Sequence, residues 1–178
     1  PRLFSAFKKG DGNILKEIIK IFKENKIKVL DSMKFTPELV FKEKSINNVK
    51  INNLDKMSIS KGISVVKSLS KFDIGQSVVI NDGFVLAIEG PEGTDQTIKR
   101  SLNLSKKYKL KNKSILVKFP KINQDPRVDL PTIGLDTVKN CINSNIKGIA
   151  VKRSKNIILD KDKIINLTKK NNFFIITL

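Results

Sequence analysis

The chain has 178 residues, 39% of them hydrophobic, and a formal net charge of +18. It has no histidine and one cysteine, Cys141, which excludes disulfide frameworks, zinc fingers and Cys/His catalysis within the chain. Acids, bases and metal ligands must then be Asp, Glu, Lys, Tyr or hydroxyl groups, and oxygen donors of this kind suit a hard cation such as Mg²⁺. No window approaches the ~20 continuous apolar residues of a membrane span. The first residues include neither an initiator Met nor a signal-peptide core, which predicts a cytosolic chain that is a piece of a longer protein.

The positive charge is almost entirely lysine, since the arginines are only Arg2, Arg100, Arg127 and Arg153. Three interpretations stay open. A diffuse, solvated lysine surface is favoured by the abundance of Lys, Asn and Ile throughout the chain. A nucleic-acid-binding face is the second, and weak attraction to an anionic membrane is the third. The lack of interleaved aromatic residues opposes nucleic-acid binding, because base stacking uses such side chains and Tyr108 is the only tyrosine.

In chain order, apolar residues at helical spacing predict a helix over residues 11–26. The stretch IKVLDS (27–32) reads as a short strand, and TPELV (36–40) opens with a helix-start signature. Residues 42–56 are polar and Asn-rich, which predicts a surface loop or linker, and 58–72 predicts a helix.

The second half alternates between strands and helices. Residues 75–90 predict a β-hairpin around Asn81-Asp82-Gly83, and a helix begins near Thr94. The remaining elements are a buried strand at 114–119, a helix that Thr132 or Gly134 starts, strands at 147–152 and 156–160, a helix at 161–170 and a closing strand at 172–178. This order predicts a single α/β domain whose mixed sheet contains an antiparallel hairpin and is flanked by helices.

A first candidate loop is EGPEGTD, in which Glu89 ends a strand, Glu92 and Asp95 follow across two glycines, and the loop leads into a helix amino terminus. In α/β folds, ligands gather at the carboxyl ends of strands, where helix amino termini can bind phosphate. Gly90 and Gly93 let the backbone approach a ligand closely. The structural alternative is that Glu89 only ends the strand and Asp95 only faces the helix dipole.

A second candidate loop runs from 118 to 138 and is stiffened by prolines. Arg127 offers a planar fork for phosphate oxygens, and Lys118 and Lys121 offer point charges. Asp125 and Asp129 are then available to hold a cation or orient water, which equips the loop for metal-assisted hydrolysis of a phosphoanhydride. The structural alternative is that these aspartates pair with Arg127 and the lysines.

Three strings carry a resemblance to a known family: DIGQSVVINDGFVLAIEGPEGTDQTIKR, ILVKFPKINQDPRVDLPTIGLDTV and IKGIAV. Together they closely resemble the LpxI-type UDP-2,3-diacylglucosamine pyrophosphatases, from about Gly10 to the carboxyl end. The resemblance implies hydrolysis to UMP and 2,3-diacylglucosamine 1-phosphate (lipid X) in lipid A biosynthesis, with Mg²⁺ or another divalent cation. It also implies that residues 1–9 are a linker from a missing amino-terminal domain and that 10–178 form the carboxyl-terminal catalytic domain, with the lipid between the two domains.

The resemblance also implies site residues. One essential aspartate lies between Gln124 and Pro131, and the choice between Asp125 and Asp129 stays open. The implied sets are catalytic Asp125, Asp129 and Arg127; substrate-binding Lys118, Gln124, Gly93, Thr94 and Thr132; and metal-binding Asp125, Asp129, Glu89, Glu92 and Asp95. Two departures stand out: Ile122-Asn123 replaces the usual Pro-Gly, and Gly10-Asp11-Gly12 lacks the second acid of the usual Gly-Asp-Asp.

The same resemblance implies a cytoplasmic enzyme, peripheral on the anionic cytoplasmic face of the inner membrane. It predicts no nucleic-acid partner and leaves a homodimer open. Two alternatives remain: a nucleic-acid-binding module that uses the basic surface, and a non-catalytic domain that binds lipid or nucleotide.

Overall fold

The computed structural model describes residues 11–47, 49–122 and 124–178, except for the Asp11 side chain. The α-helices of this part of the chain are α1 (Asp11–Glu24), α2 (Asn53–Ser70), α3 (Gly93–Lys107), α4 (Leu135–Asn143) and α5 (Lys161–Lys170). The strands are β1 (Ser77–Asn81), β2 (Phe84–Ile88), β3 (Ser114–Lys118), β4 (Thr132–Ile133), β5 (Ile146–Val151), β6 (Ile157–Ile158) and β7 (Phe174–Thr177). No helix among these residues is long and apolar enough to cross a bilayer.

The main sheet has five strands in the order β2-β1-β3-β5-β7. Strand β1 is antiparallel to both of its neighbours, whereas β3, β5 and β7 run parallel. The turn between β1 and β2 has positive φ at Asp82 (46°) and Gly83 (79°), as the Asn-Asp-Gly signal predicts. The predicted α/β class, with a mixed sheet and an antiparallel hairpin, is confirmed. Strands β4 and β6 form a separate parallel pair.

The sheet is covered on both faces, which explains why its strands are almost continuously apolar. On one face, Val78 and Ile80 of β1 pack with Ile59 and Val66 of α2. On the other face, the core is contributed by α3, α4 and α5 as well as the strands; it includes Val79, Ile98, Val138 and Ile164.

Strand direction brings both candidate loops to one edge of the sheet. Because β2 and β3 both run antiparallel to β1, their carboxyl ends meet the amino end of β1. Ser77 therefore pairs with Lys118, and the Glu89 backbone N–H donates to the Ser77 carbonyl oxygen at 3.0 Å. The EGPEGTD loop and the proline-containing loop start side by side at this point.

The first half departs from the sequence predictions in three places. The predicted strand at 27–32 is wrong, since this segment pairs with no strand among the described residues and leads into a 3₁₀ turn at Ser32–Lys34 that Asp31 caps. The helix predicted at TPELV is a single 3₁₀ turn at Pro37–Leu39. It stops there because Val40 is extended and forms a bridge with Ile157.

The third departure concerns the loop predicted at 42–56. Its last residues belong to α2, because Asn52 and Asp55 form a reciprocal capping box that starts the helix earlier than predicted. The preceding residues lie along β7: Ser45 forms a bridge with Ile176, and the Ile46 N–H donates to the Ile175 carbonyl oxygen at 3.0 Å. This segment therefore covers an edge of the sheet that would otherwise be unpaired.

Candidate functional site

A cleft lies where β2 and β3 end. It consists of three adjoining cavities of about 300, 420 and 320 Å³, which share Lys121, Gln124 and Asp129. The largest cavity is also lined by Glu89, Gly90 and Gly93 from the first loop and by Asp73 and Gln76 from the segment before β1. The smallest reaches Gly12 and Asn13 of α1, and the third is mostly apolar, with Phe119, Pro120, Ile122 and Leu130 in its wall.

Glu89 is the buried carboxylate of the cleft, with 7% of its surface exposed. Its Oε2 accepts a hydrogen bond from Ser77 Oγ at 2.5 Å and another from Thr94 Oγ1 at 3.0 Å. Hydroxyl donors at this separation compensate the burial of a charged oxygen. The side chain is therefore held at the cavity wall by residues from β1 and the first turn of α3.

Lys118 lies behind Glu89 and does not line any of the three cavities. It is 6% exposed, and its Nζ donates to Thr94 Oγ1 and to the Thr132 carbonyl oxygen, both at 3.0 Å. Burial lowers the pKa of Lys118, and the charges of Glu89 and Asp95 partly oppose that shift. The residues predicted to bind substrate thus divide: Gln124 and Gly93 line the cleft, whereas Lys118, Thr94 and Thr132 form a hydrogen-bonded group next to it.

Cys141 of α4 is close to the same group and fully buried. Burial raises the pKa of its thiol, and the charge of Asp95 raises it further. The neutral thiol therefore acts as an apolar core side chain.

The other two acids of the first loop have partners away from the cavities. Glu92 accepts a hydrogen bond from Arg100 Nη2 at 2.6 Å, and this contact lowers the pKa of the exposed Glu92 carboxyl. Asp95 accepts a weak hydrogen bond from Thr137 Oγ1 at 3.4 Å. Of the three acids predicted in this loop, only Glu89 lines the cleft cavities.

In the second loop, Asp125 and Asp129 face different surroundings. Arg127 donates three hydrogen bonds to the Asp125 carboxylate: from Nε at 3.0 Å, from Nη2 at 2.7 Å and from its backbone N–H at 3.0 Å. These contacts lower the pKa of Asp125. Asp129, in contrast, lines all three cavities. The structural alternative considered for this loop therefore describes Asp125 and Arg127, whereas Asp129 is the aspartate of this loop that lines the cleft.

Asp73 was missing from the predicted site although it begins the D-x-G-Q string that carried part of the resemblance. Its Oδ1 forms an ion pair with Lys121 Nζ at 2.7 Å, while its buried Oδ2 has no hydrogen-bond partner within the part of the chain that the structure describes. The residue lines two cavities and has a left-handed backbone, with φ at 58°. The available signal was the short segment between α2 and β1, which contains Asp73 and Gly75.

The carboxylates of the cleft suit Mg²⁺ when water and substrate phosphates supply its other ligands. No three Asp, Glu, Cys or His residues within the described ranges are close enough to hold a metal by themselves. Mg²⁺, however, is often held by one or two carboxylates together with water and substrate phosphates. Glu89, Asp73 and Asp129 line one cavity, and the buried Asp73 Oδ2 has no hydrogen-bond partner among the described residues. Gly10 and Asn123, which belong to the two departures from the family pattern, lie outside the described residues, and so does the Asp11 side chain.

Comparison with known proteins identifies the family. The family model of the LpxI C-terminal domain matches residues 42–176. The chain belongs to this family. It is also 27% identical, over 179 aligned residues, to a Caulobacter vibrioides protein named UDP-2,3-diacylglucosamine pyrophosphatase LpxI. That alignment covers 99% of this chain but 64% of the relative, so the chain spans about two thirds of the relative's length. The resemblance read from the three sequence strings is confirmed.

Proposed function

We propose that this LpxI-family chain is the catalytic part of a UDP-2,3-diacylglucosamine pyrophosphatase. The reaction would hydrolyse the pyrophosphate bond and release UMP and 2,3-diacylglucosamine 1-phosphate, a step of lipid A biosynthesis. The observation that carries the proposal is the cleft, in which Glu89, Asp73 and Asp129 meet Lys121 at the carboxyl ends of β2 and β3. Ligands of α/β folds bind at this kind of position.

The polar residues of the cleft suit a pyrophosphate group. Lys121 supplies a positive charge that the Asp73 carboxylate holds in place at 2.7 Å. Gln124 Oε1 accepts from the Lys121 backbone N–H at 3.0 Å, which orders the loop around it. A bound Mg²⁺ would neutralise charge on the phosphate oxygens, and one or two of the carboxylates Glu89, Asp129 and Asp73 would hold it together with water and those phosphates. Gly93, with φ at 79° and open space where a Cβ would lie, leaves room for a phosphate at the start of α3.

The apolar cavity supports an amphiphilic substrate. Phe119, Pro120, Ile122 and Leu130 line it, and it shares Asp129 with the polar part of the cleft. Lys67, Lys152 and Lys155 lie around the same cavity. A ligand with charged phosphates and an apolar portion would match both parts of the cleft. In the proposed setting, the chain works with an amino-terminal domain at the cytoplasmic face of the inner membrane, where its basic surface meets anionic lipid.

The test is turnover of UDP-2,3-diacylglucosamine by the complete protein, followed as UMP release with and without Mg²⁺. We expect turnover that depends on the cation and that Asp129→Asn lowers by about a hundredfold. Lys147→Met serves as the control, because Lys147 pairs with Asp55 at 2.5 Å and lines none of the three cavities. No turnover under either condition would exclude the proposal. Binding of nucleic acid below micromolar Kd with a steep salt dependence would instead favour the binding module.

A further inference from the structure

Lys118 differs from the exposed lysines because its ammonium group is enclosed and its hydrogen bonds have a fixed direction. An ammonium group can only donate, so Thr94 Oγ1 must accept the bond from Lys118 Nζ at 3.0 Å. The single proton of the Thr94 hydroxyl is then left to point at Glu89 Oε2, also at 3.0 Å. Lys118, Thr94 and Glu89 thus form a chain of hydrogen bonds that runs in one direction and ends at the cleft wall.

Glu89 receives this chain on one oxygen only. Oε2 accepts from Thr94 and, from the other side, from Ser77 Oγ at 2.5 Å. Two donors on one oxygen fix the plane of the carboxylate, and they leave Oε1 as the oxygen that can contact a ligand in the 420 Å³ cavity. The two donors come from different elements, since Ser77 begins β1 and Thr94 lies in the first turn of α3.

We propose that Lys118 is a positioning residue, which acts on the bound ligand only through Thr94 and Glu89. The inference rests on the proposed function in so far as the ligand is the pyrophosphate substrate with its cation. It departs from the prediction that Lys118 binds substrate itself, because the side chain is enclosed behind the cleft. The groups that surround its ammonium are Glu89 from the loop after β2, Asp95 from α3 and Cys141 from α4.

A merely structural role is the competing explanation. Lys118 Nζ also donates to the Thr132 carbonyl oxygen at 3.0 Å, and this bond ties β3 to β4. If that bond were its whole purpose, losing the Lys118 side chain would be independent of losing the Thr94 hydroxyl. A double-mutant cycle separates the two explanations, because residues of one hydrogen-bond chain couple and independent residues add.

The first measurement is kcat and KM of the complete protein for the variants Lys118→Met, Thr94→Val and their combination. Each single change should lower kcat about tenfold, which is the lower end of the loss expected when a residue that orients a ligand-contacting group is removed. KM should stay within about twofold of the wild-type value. The combination should be no worse than either single change by more than about twofold. Thr94→Ser, which keeps the hydroxyl, should restore kcat. Lys147→Met removes a lysine with a buried partner elsewhere and should leave kcat unchanged.

Ser77→Ala provides the matched comparison within the site. It removes the other donor to Glu89 Oε2, but it is not linked to Lys118 through Thr94. Because Ser77 and Thr94 donate to the same Glu89 oxygen, Ser77→Ala should also lower kcat, whereas Thr94→Ser should not. If Lys118→Met does not fold, the contrast between Thr94→Val and Thr94→Ser still tests the chain of hydrogen bonds.

The second measurement needs no turnover and keeps the two proposals distinguishable. In urea unfolding of this 178-residue chain, Lys118→Met and Thr94→Val should be coupled. Lys118→Met and Lys147→Met share no partner and should be additive within about twofold in the unfolding equilibrium constant. Absence of turnover in the wild type would overturn the proposed function, whereas the unfolding cycle would still test the chain of hydrogen bonds on which the positioning role depends. Additive losses for Lys118→Met and Thr94→Val, or a Thr94→Ser variant as impaired as Thr94→Val, would overturn the positioning role.

Discussion

Gly75 holds the segment before β1 against the Glu89 wall of the cleft, and replacing it with alanine tests that contact. The residue is left-handed, with φ at 51°. A Cβ atom there would collide with the Glu89 carbonyl oxygen and lie 3.0 Å from Glu89 Cβ. Both obstacles belong to backbone or to the base of a buried side chain, so neither can turn away.

The expected loss has two parts. The left-handed conformation costs an alanine about 1–2 kcal/mol. Forcing a methyl group into occupied space adds about 1–3 kcal/mol. The sum, ~2–5 kcal/mol, is a large fraction of the ~5–15 kcal/mol that stabilises a typical domain. The displaced wall also carries Glu89, so we expect activity to fall even at temperatures where Gly75→Ala remains folded.

Gly83→Ala is the matched control. Gly83 has φ at 79°, but no atom of the described residues lies within 4 Å of where a Cβ would lie, so it carries only the conformational part of the loss. The assay is urea unfolding followed by circular dichroism, with the free energy of unfolding compared at constant m. Gly75→Ala should be less stable than Gly83→Ala by about 1–3 kcal/mol. Equal losses in the two variants would refute the reasoning, because they would mean that the Gly75 segment relaxes away from Glu89 at no cost.

Three further predictions follow from the site. Asp129→Asn should lower kcat/KM by about a hundredfold, whereas Asp125→Asn should mainly loosen the loop that Arg127 holds; equal and full activity in both variants would remove this loop from the mechanism. The Cys141 thiol should keep its proton in the folded chain, whereas the unfolded chain loses it above about pH 9, so the free energy of unfolding should fall as pH rises beyond that value. In urea unfolding at a series of pH values, Cys141→Ala should remove this part of the pH dependence. This chain alone should fold but show far lower kcat/KM than the complete protein in the same Mg²⁺ and detergent, because an apolar portion of the substrate would lose contacts worth ~0.8 kcal/mol per methylene; comparable values would indicate a self-contained site.

Local sequence determined much of the fold. The turn at Asn81-Asp82-Gly83 depends on backbone preferences of those residues alone, and the structure has positive φ at Asp82 and Gly83. The apolar run at 114–119 fills β3, which is buried on both faces. The three sequence strings also identified the family, because they combine several short motifs in a fixed order. The segments at 27–32 and 36–40 were misassigned because their local patterns suit several conformations, and tertiary pairing such as the Val40–Ile157 bridge chose among them.

Local sequence likewise predicted part of the candidate site, and tertiary structure decided the rest. Sequence alone selected both loops, since acids near glycine or proline after a strand are a local signal. It named Glu89 and Asp129 together with Glu92, Asp95 and Asp125, without separating them. Only the tertiary structure revealed Asp73, whose contact with Lys121 spans 48 residues. Only the tertiary structure showed that Asp129 lines the cleft whereas Asp125 is paired with Arg127. It also showed that the Lys118 side chain is buried and donates to Thr94. The physical reason is that charged side chains of one loop have similar local preferences, whereas burial and partner distance, which decide their roles, are set by strands distant in sequence.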